Sequence, residues 1–198
     1  MVVKAPWQRT SFVTVIAFAC ACSSSFARPT PEQTSLLEAV MLIMMGFEQG
    51  LLLPAAKNPL EFVINDDGVS YVLKEFTPPR ASQSYSLTAK INSPSNCIFN
   101  LQIETDSPLG PGSLRLDLTQ MTHIEAARYH VPNLAFPIVL LEGTNVYCEN
   151  DKCRNKRQFN LDGGPNTDAA QIAKLAKVRD AVSLVKKACP LSGVSTNK

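Results

Sequence analysis

The pattern of apolar and polar positions divides the chain into a helix, a long stretch of strands and a second helix. Thr30-Pro31-Glu32-Gln33 forms a capping box with proline at the first helical position. After it, Leu36, Leu37, Val40, Met41, Ile43, Met44 and Phe47 recur at three- and four-residue spacing. This spacing predicts a helix with a broad apolar face, stopping at Gly50. Core packing is the ordinary role for Met41, Met44 and Met45, although methionines also line adaptable binding grooves.

From Leu60 to Leu161 the period is two. Leu60, Phe62 and Ile64 alternate up to Asp66-Asp67-Gly68, a hairpin turn signal, and Val69, Tyr71 and Leu73 alternate after it. Tyr85, Leu87, Ala89 and Ile91 share one face, and Asn92 to Asn96 turn the chain. Cys97, Phe99, Leu101 and Ile103 share the next face, and Leu114, Leu116 and Leu118 follow the loop from Asp106 to Gly112. Met121 to His130 is read as a strand, Phe136 to Leu141 and Asn145 to Glu149 as two more, and Arg157 to Leu161 as a last short one.

Asn166 or Thr167 caps the closing helix, with Asp168 in its first turn. Ile172, Leu175, Val178, Val182, Val185 and Cys189 form its apolar stripe, and Pro190 ends it. Lys174, Lys177 and Lys187 lie mainly off that stripe, as solvated charge on a helix covering a sheet or, less simply, as a membrane-surface face.

No long helical crossovers separate the strands, so the expected fold is α+β: a mainly antiparallel, curved sheet of about six to eight strands. A helix from each end packs on it. In order of elements, a curved sheet closed by a carboxy-terminal amphipathic helix is similar in outline to pleckstrin-homology-like domains.

The first 27 residues change the picture of where this domain works. Lys4 and Arg9 precede a short apolar run from Phe12 to Cys22, and Ser25-Phe26-Ala27 supplies small residues for a signal peptidase. Cleavage after Ala27 is expected, leaving one domain from Arg28 to Lys198 in the periplasm or outside the cell. A lipidated Cys20 or Cys22 is the rival reading, and neither cysteine has the leucine usual three residues before it.

Removing residues 1–27 leaves 17 basic residues against 17 acidic ones. A neutral domain is not expected to bind nucleic acid. The charge is uneven, however: Lys152, Arg154, Lys156 and Arg157 crowd the carboxy-terminal part. The two parts neutralise one another across the fold or, less simply, leave a basic face for an anionic partner.

Four cysteines remain, enough for two disulfides in an oxidising compartment. Cys148 and Cys153 flank a polar turn and are expected to pair across a hairpin. Cys97 and Cys189 lie on apolar faces of a strand and of the last helix, and are expected to tie the two together. A zinc site built on Cys148 and Cys153 lacks a nearby histidine. His123-Ile124-Glu125 has the spacing of the zinc-deaminase His-x-Glu, but the required Pro-Cys-x-x-Cys is missing. His123 and His130, seven residues apart, fall on opposite faces of a strand.

Gly163-Gly164-Pro165 precedes a helix amino terminus that favours anions, yet Asp162 and Asp168 flank it. There is no Gly-x-Ser-x-Gly elbow and no cofactor motif. The expectation is a non-catalytic binding or interaction domain for a small molecule, lipid or protein, with no transmembrane segment after cleavage. The alternative is a small exported hydrolase whose active residues are scattered along the chain.

Overall fold

The computed structural model describes residues 28–52, 56–77, 83–106, 111–131, 134–150, 152–161 and 167–192, without the side chains of residues 130, 131, 134 and 135. The signal-peptide and lipidation readings on residues 1–27 lie outside them, as do residues 162–166.

Helix α1 (Pro31–Met45) starts as its capping box dictates: the Thr30 hydroxyl accepts from the Gln33 amide, and the Gln33 side chain accepts from the Thr30 amide. It ends earlier than Gly50. Gly46 takes the left-handed conformation (φ 69°), and its amide donates to the Leu42 carbonyl, which closes the last turn. Ala39 and Leu42 are buried along with Leu37, Val40, Met41, Ile43 and Met44. A helix apolar on nearly all sides needs cover on nearly all sides. It contacts the sheet and the second helix.

Eight strands form one antiparallel, unclosed sheet: β1 (Glu61–Ile64), β2 (Gly68–Phe76), β3 (Tyr85–Ser95), β4 (Ile98–Thr105), β5 (Gly112–Asp117), β6 (Met121–Val131), β7 (Leu134–Glu149) and β8 (Lys152–Asn160). Strands β5 and β6 lie end to end along one edge of β7, and β8 occupies its other edge. A 3-10 turn at Leu118–Gln120 separates β5 from β6. The sheet is therefore a meander interrupted once, where β5 gives way to β6 along β7, with β1 and β8 as its first and last strands.

Two expected strands, Phe136–Leu141 and Asn145–Glu149, are one strand of 16 residues. Gly143-Thr144 interrupts the apolar pattern because β7 bends there, opposite the 3-10 turn. Gly143 pairs with Met121, and an added Cβ would stand 2.4 Å from the Gln120 carbonyl oxygen. The register shifts on both sides of the bend, and Asn145 takes a positive φ of 51° while its amide donates to the Asn155 side chain. Strand β8 begins at Lys152, five residues before the expected Arg157.

Helix α2 (Asp168–Ala188) is capped by Thr167 and lies on β6, β7 and α1. Its buried stripe is Gln171, Leu175, Val178, Ala181, Val182 and Val185, running on to Cys189. Ile172, expected inside, is 55% exposed. One buried cluster joins both helices to the sheet, with Tyr71, Ile91, Phe99, Leu101 and Leu116 among its fully enclosed members. The order of strands followed by a closing helix is as expected; α1 shares the same buried cluster, and the sheet is not closed.

The sulfurs of Cys97 and Cys189 are 2.14 Å apart, 92 residues apart in sequence, and those of Cys148 and Cys153 are 2.04 Å apart. Cys97 is not on a strand face. It sits in the β3–β4 turn with a positive φ of 64°, and from there it meets the end of α2. Hydrogen bonds add to this attachment: the Ser192 amide and hydroxyl donate to the Met121 carbonyl, and the Leu118 amide donates to the Cys97 carbonyl. Such crosslinks persist in oxidising, non-cytoplasmic compartments. Among the described residues no helix is long and apolar enough to cross a membrane.

Candidate functional site

The β7–β8 hairpin supplies aromatic and charged side chains to a cleft beside α1. Cys148 faces Cys153 across the hairpin, Glu149 faces Lys152, and Tyr147 faces Arg154. Further along β8, Arg157 and Phe159 lie two residues apart and so share a face of the strand. Phe159 packs edge-to-face on Tyr147, with ring centroids 5.6 Å apart. The Arg157 guanidinium carbon lies 4.9 Å from the centre of the Tyr147 ring and 5.9 Å from that of Phe159. Both distances are in cation–π range.

Where the last turn of α1 approaches β4, β5, β7 and β8, a cleft of about 230 Å³ remains. Met44 and Met45 wall it from the helix, and Ile103 and Leu114 from the sheet. Tyr147, Arg157 and Phe159 line it from β7 and β8. Gly112, Ser113, Glu149 and Asn150 complete the lining. Ser113 and Asn150 are tied together: the Asn150 amide donates to the Ser113 carbonyl, and the Ser113 hydroxyl reaches the Asn150 side-chain oxygen at 3.5 Å.

Burial raises the Tyr147 hydroxyl above the usual tyrosine range; the positive charge of Arg157 opposes that rise, while the negative charge of Glu149 and a hydrogen bond to it add to it. Arg157 is half-buried, and its Nε is shielded from solvent with no hydrogen-bond acceptor among the described residues.

The other sequence candidates lie elsewhere. His123 is exposed on β6, with its Nε2 3.4 Å from a Glu125 carboxylate oxygen, two residues along the same face. His130 is on the same strand, paired with Ala135, and its side chain is outside the described residues. Gly163-Gly164-Pro165 is outside them too. Asp168 pairs with Arg128 at 2.7 Å, and Lys177 with Glu48 at 2.6 Å. Lys187 is exposed, and the half-buried Lys174 lies beside Gly46. Of the basic run, Lys152 and Arg154 are exposed and Lys156 pairs with Glu142, which holds that carboxyl below the usual range. Among the described residues, no three His, Cys, Asp or Glu side chains are placed to hold a metal ion.

Sequence reasoning marks Met44 and Met45 as core or groove and Arg157 as part of a charge-dense run. It does not connect them, because they lie more than a hundred residues apart. One local signal is present: Arg157 has the same parity as Phe159, so one of four neighbouring cations points inward with an aromatic.

Comparison with protein-family models, curated proteins and solved structures finds no match to this chain.

Proposed function

We propose that this protein is an exported, non-catalytic binding domain that takes a small ligand in the cleft between α1 and strands β4, β5, β7 and β8. The observation that carries this reading is the cleft's composition. Its walls join apolar and sulfur-bearing side chains (Met44, Met45, Ile103, Leu114, Phe159) to the polar groups of Ser113, Tyr147, Glu149, Asn150 and Arg157 in comparable measure, a mixture suited to a small amphipathic ligand. Its position supports the reading as well: the crosslinked hairpin and the end of a buried helix are rigid supports for a preformed site. Among the described residues, Ser113 is the cleft's aliphatic hydroxyl and no histidine lies beside it, so a hydrolase gains no nucleophile–base pair here.

Methionine methyl groups report the test directly. Four methionines follow Ala27 (Met41, Met44, Met45 and Met121), and two of them line the cleft. In protein labelled with methyl-13C methionine, a library of small anionic, cationic and neutral compounds should contain members that shift Met44 and Met45 while leaving Met121 unmoved. Native mass spectrometry of protein purified from its own source should show an added small mass. Silence of both methyls across the whole library, with no bound mass, would sink the proposal.

A further inference from the structure

We propose that the cleft selects a small carboxylate: its apolar body lies against Met44, Met45 and Phe159, and its carboxylate meets Arg157. This rests on the binding reading above and adds the chemical class of the ligand.

The argument starts from the state of Arg157. Taking a cation out of water is costly unless it is paired and hydrogen-bonded. Its neighbours in sequence solve that problem by exposure or, for Lys156, by pairing with Glu142. Arg157 is half-buried and has no ion pair among the described residues; the π faces of Tyr147 and Phe159 are its partners. Two rings accommodate a delocalised cation, but their faces do not take the place of acceptors for its in-plane N–H donors. Its Nε, already withdrawn from solvent, illustrates this. A planar fork of donors beside an apolar cavity fits a carboxylate, which accepts two parallel N–H bonds.

The one carboxylate in the lining, Glu149, is not within ion-pairing distance of Arg157. Its charge weakens the site for a simple anion and favours one that also carries an amine. Size limits the ligand further. A volume of about 230 Å³ is below the roughly 300–1,000 Å³ of sites for drug-sized molecules. Two sources share this chemistry, a short fatty acid and an apolar α-amino acid.

Hexanoate and leucine separate these sources, with hexanol, hexylamine and leucinamide as controls lacking the carboxylate. Titrated into methyl-13C-methionine protein, hexanoate or leucine should shift Met44 and Met45 saturably. The matching control should bind at least about tenfold more weakly, the scale of a lost hydrogen bond to a charged group. Binding by hexanoate alone assigns a fatty acid, and binding by leucine alone an amino acid. Arg157→Met should remove the preference for the carboxylate, and Arg157→Lys should keep part of it. Should Arg157→Met fail to fold, Met45→Trp fills the cleft with Arg157 in place and should abolish the shift of the remaining reporter, Met44. Equal binding of hexanol and hexanoate, or a carboxylate preference that survives Arg157→Met, overturns the proposal. If only an amine or a neutral compound shifts the two methyls, the carboxylate assignment falls while the binding reading stands; if no compound does, both fall.

Discussion

At Gly143 the backbones of β6 and β7 come together so closely that a Cβ would be 2.4 Å from the Gln120 carbonyl oxygen and 2.9 Å from the Met121 Cα. Both are backbone atoms and cannot swing aside, so this close approach of the two strands requires a residue with no side chain. Gly143→Ala should cost about 1–3 kcal/mol, the usual scale of overpacking, read as a fall in melting temperature of about 2–4 °C per kcal/mol for a chain of this length. An unchanged melting temperature would show that the β6–β7 contact is looser than these distances imply. Ile172 makes a related point about single residues. It fits the apolar stripe by a step of three to Leu175, while Gln171 fits by a step of four. The helix's rotation on the sheet buries Gln171 and leaves Ile172 exposed, and periodicity alone does not distinguish steps of three and four.

The two cysteine pairs act on elements in different ways. Cys148 and Cys153 are direct register partners, so their bond reinforces a hairpin that the strands already form. Cys97 and Cys189 join the β3–β4 turn to the end of α2, elements with no local connection. In the chain-entropy model, closing a loop of about 90 residues contributes about 4–5 kcal/mol and closing one of about five residues about 2 kcal/mol. Replacing Cys97 and Cys189 together by alanine should therefore lower the melting temperature clearly more than replacing Cys148 and Cys153 together. Peptide mapping without reduction should find the same two pairs; a fragment joining Cys97 to Cys148 or Cys153 would contradict them. The first pair also shows how much of an element's position is legible. Cys97 shares alternation with Phe99 and Leu101, which suggests a strand face, yet the chain has already entered the turn at Ser95-Asn96-Cys97-Ile98. The two inner ends still meet because the turn lies over the end of α2.

For the whole molecule, each strand pairs with its neighbour in sequence except β5 and β6, which lie end to end along one edge of β7. Such an order follows from short connections and strong alternation. The sheet remains open, and two helices cover its buried face. The proposed export belongs to this scale too, because the two disulfides call for an oxidising compartment. Amino-terminal sequencing of the secreted protein should begin at Arg28, and since Trp7 is the single tryptophan, the secreted form should lack tryptophan fluorescence. An intact Met1 or a lipid on Cys20 or Cys22 would refute cleavage after Ala27.

Local chemistry was enough to specify the capping of α1 by Thr30 and Gln33, the hairpin at Asp66-Asp67-Gly68 and the α+β class, because each depends on residues a few positions apart. It could not specify the merging of two apparent strands into β7, since the cause, a 3-10 turn on the neighbouring strand, lies more than twenty residues away. Nor could it specify the cleft. Met45, Leu114 and Arg157 carry no shared pattern along the chain, and each alone has an ordinary role as core, strand or solvated charge. Packing the end of α1 against the crosslinked hairpin is what brings them together, and burial there separates Arg157 from the solvated charges beside it in sequence.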